Sequence, residues 1–93
     1  MTRTVYLNGE YVSENEAKIS VFDRGFLMAD AVYEVTSVLD GKLIDFKGHA
    51  KRLNRSLDEL DMKNPISYEE LLAVHRELVR VNNIDEGLSL IHI

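Results

Sequence analysis

Ninety-three residues amount to at most one small domain, and 45% hydrophobic with 29% charged residues is the composition of a globular chain. A net charge of −5 without a basic run argues against nucleic acid or an anionic membrane as partner. No stretch approaches the ~20 apolar residues of a membrane span, and the absence of Cys excludes a disulfide framework and a thiolate metal site. The N-terminus turns polar too soon for a signal peptide, so a cytoplasmic protein is expected.

The chain opens on a hairpin signal. Val5-Tyr6-Leu7 and Glu10-Tyr11-Val12 flank Asn8-Gly9, a pair suited to the positive φ angles of a type I′ turn. Further on, Asp23-Arg24-Gly25-Phe26 reads as a polar loop that runs through Met28, Ala29, Asp30 and Ala31 into an alternating strand. Binding sites are often built where such a loop meets a sheet. The strand, Val32 to Leu39, pairs across Asp40-Gly41 with Lys42 to Asp45. Its two faces are Ala31, Tyr33, Val35, Ser37 and Leu39 on one side, and Val32, Glu34, Thr36 and Val38 on the other. Neither is uniformly apolar, which suits a strand covered on one side and lining a partly polar cavity on the other.

A helix is expected from about Phe46 to Leu60, with Phe46, Ala50, Leu53, Leu57 and Leu60 as its apolar stripe. Asp45, His49, Arg52 and Ser56 line one flank of that stripe, which puts Arg52 near the protein body and Arg55 away from it. A turn at Asn64-Pro65 leads to a second helix, about Tyr68 to Asn82, with Ser67 and Glu70 at capping-box spacing and Ile66 placed to staple against Leu71. Its buried face is expected to be Tyr68, Leu71, Leu72, Leu78 and Val79, with His75 in the middle. Leu88 to Ile93 reads as a final strand that stops on an apolar residue without a polar cap. A free domain rarely leaves such an edge open, and a fragment of a longer chain is the expectation. These elements make an α+β fold, antiparallel hairpins packed against two helices.

Several chemistries have no support. The three His are scattered, no metal-ligand spacing exists, no Ser is marked as a nucleophile and no phosphate-binding Gly-rich loop is present; no metal site is expected. His75, alone on an apolar face, is read as a packed, hydrogen-bonded residue. Asp30 and Glu34 offer an acid–base pair on paper, with a structural role favoured. Position alone favours a structural ion pair for Arg52 over a ligand contact, although its guanidinium fork fits carboxylate or phosphate oxygens. Tyr33 reads as a packing residue with a satisfied hydroxyl.

Taken as an ordered set, Val5-Tyr6-Leu7-Asn8-Gly9-Glu10, Asp23-Arg24-Gly25-Phe26, Asp30-Ala31-Val32-Tyr33-Glu34-Val35, Asp40-Gly41-Lys42 and His49-Ala50-Lys51-Arg52-Leu53 resemble the N-terminal part of fold-type IV pyridoxal-phosphate aminotransferases. The likeness spans roughly residues 3 to 90 and is closest to the D-amino acid aminotransferases. The resemblance implies that Arg52 holds the cofactor phosphate, that Tyr33 helps bind the substrate carboxylate, that Val35 lies in the pocket wall, and that His49 stands behind Arg52 rather than at the reacting atoms. It further implies a pyridoxal 5′-phosphate cofactor, an amino acid and a 2-oxo acid as substrates, and a homodimer. Residues 1–93 would then be an N-terminal domain fragment, inactive alone. The catalytic Lys would lie past residue 93 in a second domain, since none of Lys18, Lys42, Lys47, Lys51 and Lys63 occupies its place. Family members often carry Gly where this chain has Ala29 and Ala31, which bears on the backbone of that loop. The rival readings are a branched-chain L-amino acid aminotransferase or an aminodeoxychorismate lyase of the same fold, or a stand-alone α+β binding module without catalysis.

Overall fold

The structure, a computed structural model, describes residues 2–93. Strands β1 (Thr4–Leu7) and β2 (Glu10–Ser13) form the first hairpin, in which Asn8 and Gly9 both take positive φ. A 3₁₀ turn (Glu14–Glu16) follows, then a short helix α1 (Arg24–Met28) inside the segment expected to be loop. Asp23 initiates α1 by accepting the Gly25 N–H on its Oδ1 at 2.8 Å. Five residues are too few for apolar periodicity to announce a helix. Ala29 ends α1 in the left-handed region at φ 54°, a backbone conformation that Gly adopts without strain and Ala does not.

Strand β3 (Tyr33–Leu39) is the centre of a second sheet, with β4 (Lys42–Leu43) on one edge and β5 (Glu86–His92) on the other, all antiparallel. Asp40 and Gly41 turn with positive φ at both positions, as their sequence implies. β4 is shorter than expected, although Ile44 still donates its N–H to the Ser37 carbonyl at 2.9 Å. In β5, His92 stands opposite Tyr33 and Leu90 opposite Val35.

Helix α2 (Phe46–Glu59) packs on the inner side of β3, and α3 (Tyr68–Val81) packs beside α2 and against β1. The core gathers Val32, Phe46, Ala50, Leu53, Leu57 and Leu71, with Leu43, Met62, Ile66, Leu72, Ile91 and Ile93 around it. The apolar stripe of α2 is therefore buried as its spacing predicts, except Leu60, which caps the helix and is exposed. Both helices close with a left-handed residue, Asp61 and Asn83, and the N–H groups of Met62 and Ile84 reach back to Leu57 and Val79. In α3 the Ser67 hydroxyl accepts the Glu70 N–H, as the capping spacing predicts. Its buried residues are Leu71, Val74 and His75, so Val74 replaces Tyr68, Leu72, Leu78 and Val79, which are only partly covered or exposed. Asn82 at the end of α3 clamps β1, accepting the Thr4 N–H and donating to the Thr4 carbonyl, each at 2.8 Å.

His75 is packed and hydrogen-bonded. Its Nδ1–H donates to the Leu71 carbonyl at 2.9 Å, and its ring meets the edge of Phe46 with centroids 4.8 Å apart. Burial lowers its pKa, only partly opposed by the bond to Leu71, so the folded state keeps it neutral at pH values where the unfolded chain protonates it. Above about 6.5, the ordinary His value, both states are neutral and this contribution to stability is complete. As pH falls below that value the unfolded state binds the extra proton, and the contribution is lost. His75→Leu is expected to flatten the decline in urea midpoint between about pH 6.5 and 5.5 relative to wild-type protein.

Candidate functional site

Alternation along β3 places Glu34, Thr36 and Val38 inward and leaves Tyr33, Val35, Ser37 and Leu39 on the outer face. The stripe of α2 that packs inward brings its flank, with His49 and Arg52, up to the start of β3. Glu34 lies where the two elements meet. Its side chain is only 6% exposed, against 60% for that of Arg52. Arg52 donates from Nε to Oε2 at 2.7 Å and from Nη2 to Oε1 at 2.8 Å, a two-point grip on one carboxylate. His49 donates from Nδ1 to the same Oε1 at 2.8 Å; a carboxylate acceptor requires the proton on that nitrogen.

These bonds decide the charge state of Glu34. The Arg52 fork holds its carboxyl below the usual carboxylate range, against the upward push of burial, and His49 adds to the lowering. The same pairing raises the pKa of Arg52. Glu34 is therefore ionised and committed, an unsuitable proton donor. Asp30 pairs separately with Arg24 at 2.8 Å. The two carboxylates that form an acid–base pair on paper are thus held apart by different arginines.

A cleft of about 470 Å³ opens at this junction, lined by Tyr33, Glu34, Val35, Arg52, Arg55 and Ser56. It brings together Tyr33, Val35 and Arg52, while His49 lies behind it against Glu34. Arg55 keeps the solvent-facing position expected of it, with a side chain 76% exposed. It stands opposite the apolar stripe, yet three residues along a helix is only about 60° away from Arg52, which leaves it on the rim of the same cleft. Its ion pair with Glu59 is loose, at 3.9 Å between two exposed side chains. A second, larger groove of about 660 Å³ lies between β4 and α3 and contains none of the candidate residues.

Arg52 has donors to spare. Of the five N–H bonds of a guanidinium, two are given to Glu34, and the remaining three have no protein partner among the described residues. The Nε–Nη2 edge faces the carboxylate, so the free Nη1–Nη2 edge is a second fork of the same geometry. That donor set fits a phosphate group: planar, permanently charged and matched to two anionic oxygens. Tyr33 adds a phenol hydroxyl at the same cleft, and its side chain is exposed on the outer face of β3. Gly25 in α1 is locally confined: a Cβ there would come within 3.0 Å of the Asp23 carboxylate and 3.2 Å of the Ala31 Cβ.

Glu34 is the residue that the sequence underweights. The signal was present, since a carboxylate among Val32, Thr36 and Val38 on an inward face must find a cation. Matching it to Arg52 needed the register between β3 and α2, which no local pattern supplies.

The chain is similar to known proteins over this whole region. The family described as amino-transferase class IV matches residues 31–92. A D-alanine aminotransferase of Staphylococcus haemolyticus is 43% identical over 83 residues, covering 89% of this chain and 29% of that protein. A putative branched-chain-amino-acid aminotransferase of Methanocaldococcus jannaschii is 42% identical, also over 89% of this chain and 29% of its own length. Among solved structures, the branched-chain aminotransferase of the thermophilic archaeon Thermoproteus uzoniensis with norvaline superposes with a TM-score of 0.83 at 28% identity, over 99% of this chain and 32% of that one. The chain thus spans about 30% of the length of the curated relatives it matches.

Proposed function

The chain belongs to the class IV aminotransferases, and on that premise we propose that it is the N-terminal domain of a pyridoxal 5′-phosphate-dependent transaminase acting on a D-amino acid and a 2-oxo acid. The observation that carries the reading is Arg52, anchored to a buried carboxylate and left with a free donor fork in the cleft that Tyr33 and Val35 also line. In this reading Arg52 grips the cofactor phosphate through its Nη1–Nη2 edge. Tyr33 donates its hydroxyl to a substrate carboxylate oxygen, fixing the direction from which the substrate enters. Val35 bounds the pocket beside it, and His49 supports Glu34. When bound, pyridoxal phosphate supplies the electron sink for amino-group transfer. The Lys that moves the proton belongs to a second domain beyond residue 93, and a cytoplasmic homodimer completes the reading.

The D-alanine specificity is supported by the Staphylococcus relative, which is named for that substrate. A branched-chain L-aminotransferase is the second reading, favoured by the Methanocaldococcus relative and by the Thermoproteus structure. Steady-state kinetics of the full-length protein on D-alanine and L-leucine separate the two: a higher kcat/KM for D-alanine is expected, and a preference for L-leucine selects the second.

The role of Tyr33 has its own test. Tyr33→Phe removes one hydrogen bond to a carboxylate and is expected to raise the KM for the amino acid about three- to tenfold. Cofactor affinity should stay unchanged, because the hydroxyl is assigned to the substrate alone. A variant that loses cofactor while keeping its KM contradicts the assignment.

A further inference from the structure

We propose that Glu34 is a positioning residue for phosphate recognition: it fixes the Arg52 guanidinium by one edge so that the other edge is presented, preformed, to a phosphate. The inference rests on the reading of Arg52 as the phosphate-holding residue and adds a role for the carboxylate beneath it.

An arginine side chain left to itself is free to move. A side chain that is 60% exposed has several rotatable bonds and no packing to choose among its rotamers. Glu34 differs in every respect. It lies on the central strand of a three-stranded sheet, its side chain is almost fully buried, and both of its oxygens are engaged. His49 bonds the oxygen that also receives Nη2, which fixes the plane of the carboxylate as well as its position. Two parallel bonds of 2.7 and 2.8 Å to a fixed plane leave the guanidinium no freedom to rotate. The Nη1–Nη2 edge is thereby oriented before any ligand arrives, and the ordering cost is removed from the binding step.

A simpler electrostatic view predicts the opposite sign. Glu34 cancels much of the positive charge of Arg52, so as a mere counter-charge it would weaken the attraction for a phosphate dianion, and its neutralisation would tighten binding. Positioning predicts that neutralisation loosens binding. The sign of one measured change therefore decides between them. Glu34→Gln keeps the size of the side chain but replaces one acceptor with an N–H donor, so it cannot receive both guanidinium bonds. Glu34→Asp keeps the charge and withdraws it by one methylene.

The test uses the full-length apoprotein, titrated with pyridoxal 5′-phosphate and, separately, with pyridoxal, which lacks the phosphate. Glu34→Gln is expected to raise the Kd for pyridoxal 5′-phosphate about tenfold while that for pyridoxal moves by less than about twofold. In the Arg52→Ala background the same substitution should have no further effect, because there is no guanidinium left to hold. A residue that served only the fold would act equally in both backgrounds and on both ligands. Should Glu34→Gln fail to fold, Glu34→Asp carries the test, with a phosphate-selective loss expected there too. Unchanged or tightened affinity for pyridoxal 5′-phosphate, when Arg52→Ala alone has weakened it, overturns the role of Glu34 and leaves that of Arg52 standing. If Arg52→Ala itself leaves that affinity unchanged, the reading of Arg52 falls, and the role of Glu34 with it.

Discussion

Arg52→Ala is expected to raise the Kd of the full-length protein for pyridoxal 5′-phosphate by about 10- to 100-fold, the scale of losing a charge-assisted, two-point hydrogen bond. The preference between D-alanine and L-leucine should not change, because Arg52 is assigned to the cofactor and the outer face of β3, with Tyr33 and Val35, to the substrate. Arg52→Lys should recover only part of the loss. An ammonium restores the charge but offers neither the fork for Glu34 nor a second fork for the phosphate. The structural ion pair and the ligand contact, which compete when Arg52 is read from position alone, become compatible once its two edges are counted: one edge is committed to Glu34 and the other is free. Spectroscopic titration of the apoprotein measures the effect.

Leu53→Ala is expected to cost the domain about 2–5 kcal/mol of stability. Leu53 is 1% exposed and belongs to the cluster that joins α2 to Val32, Phe46 and Leu71. Its removal leaves a cavity between helix and sheet that neighbours cannot fill without moving the β3–α2 junction. Leu60, from the same apolar stripe but 45% exposed at the helix end, provides the contrast. Its truncation should cost less than about 1 kcal/mol. Urea unfolding of the full-length protein checks both, with the midpoint expected to fall and the slope to hold. Because Leu53 neighbours Arg52 in sequence, the variant should also loosen cofactor binding, by disturbing the backbone that carries the guanidinium.

Much of this fold was legible in the residues, for local reasons. Asn8-Gly9 and Asp40-Gly41 announce their turns because they are pairs that tolerate positive φ at both positions, and both do adopt it. Phe46, Ala50, Leu53 and Leu57 announce their helix because four residues at helical spacing share one face, and all four are buried. The failures lie where local pattern carries no information. Helix α1 is too short for periodicity. Val74 is buried, and Tyr68 is not, because the width of the covered stripe on α3 is set by tertiary packing. The pairing of β5 with β3, Tyr33 opposite His92, is likewise a tertiary fact.

The candidate site divides in the same way. Tyr33, Val35 and Arg52 came from motif resemblance, and they line one cleft although no spacing rule brings residue 52 to residue 33. The structural role favoured for Glu34 and the solvent-facing position of Arg55 both hold, but their neighbours were not legible. Glu34 needed the register of strand against helix, 18 residues apart along the chain. Arg55 needed only the 60° that separates it from Arg52 around the helix axis. The Ala29 departure from the family pattern also has a physical expression, since Ala holds the left-handed conformation that Gly would adopt without strain.

Ligand discrimination reports whether this chain supplies the phosphate-holding wall of a pyridoxal-phosphate site. The ratio of affinities for pyridoxal 5′-phosphate and pyridoxal is measured for full-length wild-type apoprotein and for Arg52→Ala. A strong preference for the phosphorylated form is expected in wild type, falling by about 10- to 100-fold in the variant with pyridoxal affinity nearly constant. Equal ratios in the two proteins would contradict it.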